Sequence, residues 1–193
     1  MSLDEILKLI IDNLDKLGIP YMLAGSLASA AYGPPRSTHD VDIVVDLRRE
    51  HVKGFMEAFS QSFYVDQGQI EQAINSRRSF NIIHLQTFFK ADLFLLARTD
   101  FAREEFTRRL QRPLEGIPEE QISVATPEDT VLSKLVWYRQ GGEASELQWR
   151  DVNGILKTQG KRLDFAYLKH WEDKLRIADL FERAWLEAGV REE

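Results

Sequence analysis

With 193 residues, 44% of them hydrophobic, the chain is long enough for one substantial core and a small appended lobe. The absence of cysteine excludes a disulfide scaffold and a thiol nucleophile and agrees with a reducing compartment, and a formal net charge of -6 argues against broad non-specific affinity for nucleic acid. The N-terminus lacks the basic start and apolar run of a secretion signal, and no apolar segment is long enough to cross a bilayer, so the expectation is a cytoplasmic protein without a membrane role.

The predicted elements begin with a helix. Ser2 and Glu5 form a capping box, and Leu3, Ile6, Leu7, Ile10, Leu14 and Leu17 make an apolar stripe that Gly18 stops. A strand near 21–24 leads into a helix over 26–32, which Gly33-Pro34-Pro35 ends. A strand over 41–45 and a helix around 50–60 follow. After a less regular stretch, 80–86 and 90–96 read as two strands joined by a short turn, so the sheet is mixed, with an antiparallel hairpin. Residues 121–125 add a last strand. Thr126-Pro127-Glu128-Asp129 then opens a helix, with threonine at the cap, proline at the first helical position and acids in the first turn. From Pro127 onward the pattern is helical: 127–139, 145–157 and 165–186, the last broken near Leu175. The fold class is therefore α+β, a mixed sheet with a C-terminal helical lobe, divided as 1–125 and 126–193.

The chemistry concentrates early. Asp40-Val41-Asp42-Ile43-Val44-Val45 sets two carboxylates one residue apart on an apolar strand, downstream of the Gly25-Ser26 turn. Strand side chains alternate, so Asp40 and Asp42 project to one side while Val41 and Ile43 face a core. Two carboxylates held so close repel unless a cation lies between them, and magnesium, which takes hard oxygen ligands and shares its shell with phosphates, suits the place. Asp92, inside the apolar run from Phe88 to Leu96, is the candidate third carboxylate. Its competing reading is a strand-end acid paired with Lys90 or an arginine.

Gly25-Ser26, Asp40-Val41-Asp42 and the later strand aspartate resemble the signature of the DNA polymerase beta superfamily of nucleotidyltransferases. The order Gly25-Ser26-Leu27-Ala28-Ser29-Ala30-Ala31-Tyr32-Gly33, then Arg36-Ser37-Thr38-His39-Asp40-Val41-Asp42, is similar to the small bacterial nucleotidyltransferases typified by the toxin subunit of AbiE abortive-infection systems. The resemblance implies a nucleotidyltransferase fold. It also implies two magnesium ions, or manganese in their place, on Asp40, Asp42 and Asp92 as the catalytic metal ligands. The donor would be a nucleoside triphosphate, and a partner protein of a toxin-antitoxin pair is a further expectation. In the AbiE-type family a lysine on the helix after the core and an aspartate on the next helix belong to the nucleotide site. Lys134 and Asp151 match them in order, with Gly25, Ser26 and Arg36 as the other nucleotide-binding residues.

By spacing, Lys134 falls on a stripe with Val131, Trp137 and Tyr138; its competing reading is a snorkelling stem, and that of Asp151 an ordinary salt bridge. Arg36 otherwise reads as a surface arginine and Gly25 as a tight-turn glycine. His39 faces away from Asp40 and Asp42 on a strand or lies in the loop before them, and His51, His84 and His170 lack ligand spacing, which leaves a zinc site unsupported. The acceptor stays open among a tRNA end, a protein hydroxyl and a small molecule such as an antibiotic. For RNA, Arg77-Arg78 and the arginines 103, 108, 109 and 112 are the first places to look. A silent binding module is the main rival. A D-x-D glycosyltransferase needs a nucleotide-binding half upstream, for which the forty or so residues before Asp40 are too few.

Overall fold

The computed structural model describes residues 1–35, 40–114 and 116–189, and for 118–120 the backbone alone. It falls into two compact units, Met1–Ala24 with Thr38–Val124, and Gly25–Ser37 with Ala125–Glu193. The first is a sheet with helices. Its strands are β1 (Tyr21–Leu23), β2 (Asp40–Val45), β3 (Phe63–Tyr64), β4 (Ser79–His84), β5 (Lys90–Leu95), β6 (Leu110–Leu114) and β7 (Ile117–Val124), and its helices are α1 (Leu3–Lys16), α3 (Val52–Phe59), α4 (Gln67–Ser76) and α5 (Asp100–Arg108). The second contains α2 (Gly25–Tyr32), α6 (Pro127–Gln140), α7 (Glu146–Gln159), α8 (Phe165–Lys174) and α9 (Ala178–Ala188).

The sheet is mixed, in the order β3-β4-β5-β2-β1-β7-β6. β2 pairs antiparallel with β1 and parallel with β5, which in turn pairs antiparallel with β4. Val41, Ile43 and Val45 of β2 and Ala91, Leu93 and Leu95 of β5 are buried, as are Phe80 and Ile82 of β4. On this face the Phe55 ring of α3 stacks on Phe59 and meets Phe80 edge-on at 5.8 Å between centroids. Such side chains contribute roughly 1.5–3 kcal/mol each on burial, which ties α3 to the sheet.

α1 forms as its sequence predicts. The Glu5 N–H donates to Ser2 Oγ at 3.2 Å and the Ser2 N–H to Glu5 Oε2 at 2.6 Å. Ile6, Leu7, Ile10, Ile11 and Leu14 are buried, and Gly18 ends the helix with a φ of +63° that favours glycine.

Two elements lie in the stretch without clear periodicity: β3, only two residues long, and α4, whose polar sequence buries Ile70, Ala73 and Ile74 alone. The cap on α4 is nonetheless local, Asp66 Oδ1 accepting the Gln69 N–H at 2.8 Å. β6 is also new. It is an edge strand interrupted by Pro113, with a register shift between Arg112 and Leu114, where proline is tolerated. Its partner β7 starts earlier than the expected 121.

In the second unit α2 packs on α6 and α7, and α7 also contacts α9. α2 meets α7 through bare backbone: a Cβ added at Gly154 would lie 2.7 Å from Pro34 Cδ, and one added at Gly33 would lie 3.2 Å from the Gly154 carbonyl carbon. Gln159 Nε2 donates to the Tyr32 carbonyl at 2.6 Å. The 165–186 helix breaks as expected, into α8 and α9.

The first turn of α6 is buried polar architecture. Thr126 Oγ1 accepts the Asp129 N–H at 3.1 Å and donates to Asp129 Oδ2 at 2.6 Å, while the Tyr167 hydroxyl of α8 donates to Asp129 Oδ1 at 2.5 Å. Glu128 Oε1 accepts the Asp164 N–H at 3.0 Å at the cap of α8. These two acids therefore serve the α6–α8 junction. Because Asp129 is fully buried, Tyr167→Phe, which deletes one donor to its carboxylate and little else, is expected to cost about 1.5–3 kcal/mol in urea unfolding.

Candidate active site

The parallel pairing of β2 and β5 is in a register that places Asp40 beside Lys90 and Asp42 beside Asp92. Neighbours across a ladder share a face, and the intervening Val41, Ile43, Ala91 and Leu93 are fully buried on the other one. Asp40, Asp42 and Asp92 therefore stand on one face of the sheet, each half-buried. The antiparallel register of β4 adds Asn81 next to Asp92 on that face. Sequence reasoning did not single out Asn81, although the alternation Ser79-Phe80-Asn81-Ile82 held the signal.

Lys90 places a cation on this face. Its ammonium lies 2.6 Å from Asp92 Oδ2, the side chains 42% and 21% exposed. It is held charged above the ordinary lysine range, first by the hydrogen bond to Asp92, against some desolvation, with further attraction from the charges of Asp92, Asp40 and Asp42. This one lysine thus feels all three carboxylates. Among the described residues no three histidine or acidic side chains gather tightly enough to ligate a metal ion. Asp92 faces its own strand's lysine instead, the pairing that its competing reading anticipated. The donor chemistry itself, carboxylate oxygens on one face with a cation drawn to them, suits a hard divalent ion.

Gly25 and Ser26 open α2 in the second unit. Gly25 has a φ of +55°, a strand-to-helix corner that favours glycine. Arg36 and His39 lie outside the described residues. Lys134 of α6 and Asp151 of α7 form a buried ion pair, Nζ to Oδ2 at 2.9 Å with both side chains 7% exposed, and Gln148 Oε1 accepts from Lys134 Nζ at 3.4 Å. The stripe around Lys134 is only partly apolar and buried: Val131 and Tyr138 are, but Trp137 is 50% exposed. The lysine charge is answered by the aspartate that the sequence singled out with it.

A cavity of about 640 Å³ opens between α3 and α4, lined by Arg49, Lys53, Met56, Glu57, Gln67 and Glu71. It contains none of the predicted site residues. Of the basic candidates, Arg109 stacks on the Phe106 ring at 4.3 Å and donates to the Phe106 carbonyl.

The Lys134–Asp151 geometry changes what truncation does. Removing one partner of a buried pair leaves the other charge less well compensated. Lys134→Met is expected to destabilise the protein by roughly 3 kcal/mol or more, and Lys134→Met with Asp151→Leu should recover most of it, as measured by urea unfolding of both single variants and the double variant. Additive losses would deny the coupling.

No protein-family model matches the chain. No curated protein matches it by sequence. Solved structures do match. ANT(2")-Ia in complex with adenylyl-2"-tobramycin aligns at a TM-score of 0.59 and 10% identity, over 91% of this chain and 98% of that one. The lincosamide antibiotic adenylyltransferase LnuA, lincomycin-bound, aligns at 0.53 and 12%, over 80% and 96%. An antigenic nucleotidyltransferase-like protein from Paracoccidioides brasiliensis aligns at 0.52 and 17%, over 80% and 73%. At such identities the likeness is one of fold, and the chain has the nucleotidyltransferase fold.

Proposed function

We propose that the protein is a nucleotidyltransferase of the polymerase-beta superfamily, of the AbiE-type branch, that moves a nucleoside monophosphate from a triphosphate to an acceptor hydroxyl. The observation that carries the reading is the β2–β5 register, which sets Asp42 beside Asp92 and Asp40 on the same face of a sheet with this fold. Asp40, Asp42 and Asp92 would hold magnesium or manganese, two ions when fully loaded, and the metal would supply positive charge to the phosphoryl oxygens and the attacking oxygen.

The reaction balances as a substitution at phosphorus. The acceptor oxygen forms a bond to the α-phosphorus, the bond from that phosphorus to the bridging oxygen breaks, pyrophosphate leaves, and the hydroxyl proton passes to Asp92. Ser26, Arg36 and Lys134 are assigned to the departing phosphates, with the Gly25 turn beneath Ser26. Asp151 orients the Lys134 ammonium through the 2.9 Å pair. The solved neighbours named as adenylyltransferases make ATP the first donor to test and a small-molecule hydroxyl the first acceptor. A tRNA end or a protein hydroxyl would use the same chemistry. Among the described residues no helix is long and apolar enough to cross a membrane.

One observation favours the rival reading, a silent module that binds nucleotide or a toxin-antitoxin partner without turnover: Lys90 already answers the charge of Asp92. Turnover separates the two. Labelled ATP, magnesium and cell extract should yield a labelled acceptor with the wild type and none with Asp42→Asn. Binding is tested independently by melting temperature. ATP with magnesium at 100 times Kd should stabilise the wild type by about 2.7 kcal/mol, and Asp42→Asn should lose most of that rise while keeping its fold. An undiminished rise in Asp42→Asn places the nucleotide elsewhere.

A further inference from the structure

Lys90 has no part in the mechanism above, yet it holds the most consequential position on the acid face. Its place on β5 is opposite Asp40 and two residues before Asp92, so strand periodicity returns its side chain to the same face as all three carboxylates. Its ammonium is already at hydrogen-bond distance from Asp92. A bare divalent cation must therefore compete with a tethered one for this oxygen, and it must shed tightly held water to do so. The Lys90–Asp92 pair is at the same time partly exposed, 42% and 21%, and pairs so exposed are worth about 1 kcal/mol or less. Such a contact is strong enough to bias the site and weak enough to exchange.

What makes exchange favourable is a second anion. A lysine released from Asp92 into solvent gains little, but one released towards the phosphates of an incoming metal-triphosphate complex trades one ionic hydrogen bond for another. The cation and the triphosphate then each raise the affinity of the other, as linkage requires.

We propose that Lys90 sets the order of ligand entry: it keeps a bare divalent cation off Asp92 and gives up that carboxylate when the cation comes with a triphosphate. The proposal rests on the metal-binding reading of Asp40, Asp42 and Asp92. It assigns Lys90 a specificity-determining part, toward the metal-triphosphate complex and against the free ion.

Manganese alone is the probe, its free fraction followed by electron paramagnetic resonance, with and without a non-hydrolysable ATP analogue. Lys90→Met should bind manganese without nucleotide about fivefold more tightly than wild type, and the gain in manganese affinity on adding the analogue, large in wild type, should shrink. Lys90→Gln should behave as Lys90→Met does, and Lys90→Arg as wild type does. Equal manganese affinity in wild type, Lys90→Met and Lys90→Gln, alongside loss of binding in Asp42→Asn, overturns the part given to Lys90 and leaves the metal site standing. Unchanged binding in Asp42→Asn overturns the metal site, and the Lys90 proposal falls with it.

Discussion

The register between β2 and β5 is the constraint on which the acid face depends. A one-residue slip would turn Asp40 and Asp42 into the core and expose Val41, Ile43 and Val45. The native register sets Asp42 against Asp92, an adjacent pair of like charges whose cost is of the order of 0.2–1 kcal/mol. Against that stand Val41, Ile43, Val45, Ala91, Leu93 and Leu95, all buried. The larger of them contribute roughly 1.5–3 kcal/mol each. Packing on one face therefore constrains the electrostatics of the other: the carboxylates share a face because the alternate positions of both strands must stay buried.

The two lysine–aspartate pairs show how much the surroundings decide. Lys90–Asp92 and Lys134–Asp151 have near-equal lengths, 2.6 Å and 2.9 Å, but the first is partly open to water and the second 7% exposed on both sides. In the open pair, water competes for both partners and either one exchanges at little cost. In the closed pair, neither charge has water to fall back on, so the two side chains orient one another and lock α6 to α7. One is a contact suited to being displaced. The other is a fixed contact between helices that holds the Lys134 ammonium in one place.

Much of this was legible in the sequence because the signals were local. The Ser2–Glu5 box, the Asp40-Val41-Asp42 alternation, the Thr126-Pro127 cap and the break near Leu175 each depend on residues within a turn or a strand of one another. What escaped was non-local or weakly apolar. α4 presents little hydrophobic periodicity, and β6 carries a proline that its edge position alone excuses. Asn81 reaches the acid face through pairing, not through any motif. The stripe around Lys134 misplaced Trp137 because the face that α6 buries turns toward α2, α7 and α8, and spacing along one helix does not say which neighbours cover it. Sequence spacing makes Lys90 only a possible partner for Asp92. That all three carboxylates act on it follows from strand register.

The packing of α2 also bears on how the chain is made. This eight-residue helix leaves the sheet between β1 and β2 but packs on α6 and α7, which lie about a hundred residues further along. At roughly 5–20 residues per second, a ribosome needs about 5 to 20 s to deliver that length. Throughout that interval α2 has been made while the helices it belongs with do not yet exist, and a helix so short is marginal in water by itself. The contacts of α2 therefore form late in synthesis, once α7 exists and Gly154 brings it close enough for Pro34 to settle against it. The same connectivity means that residues 126–193, cut away, would lack the helix that the N-terminal part of the chain supplies to their unit.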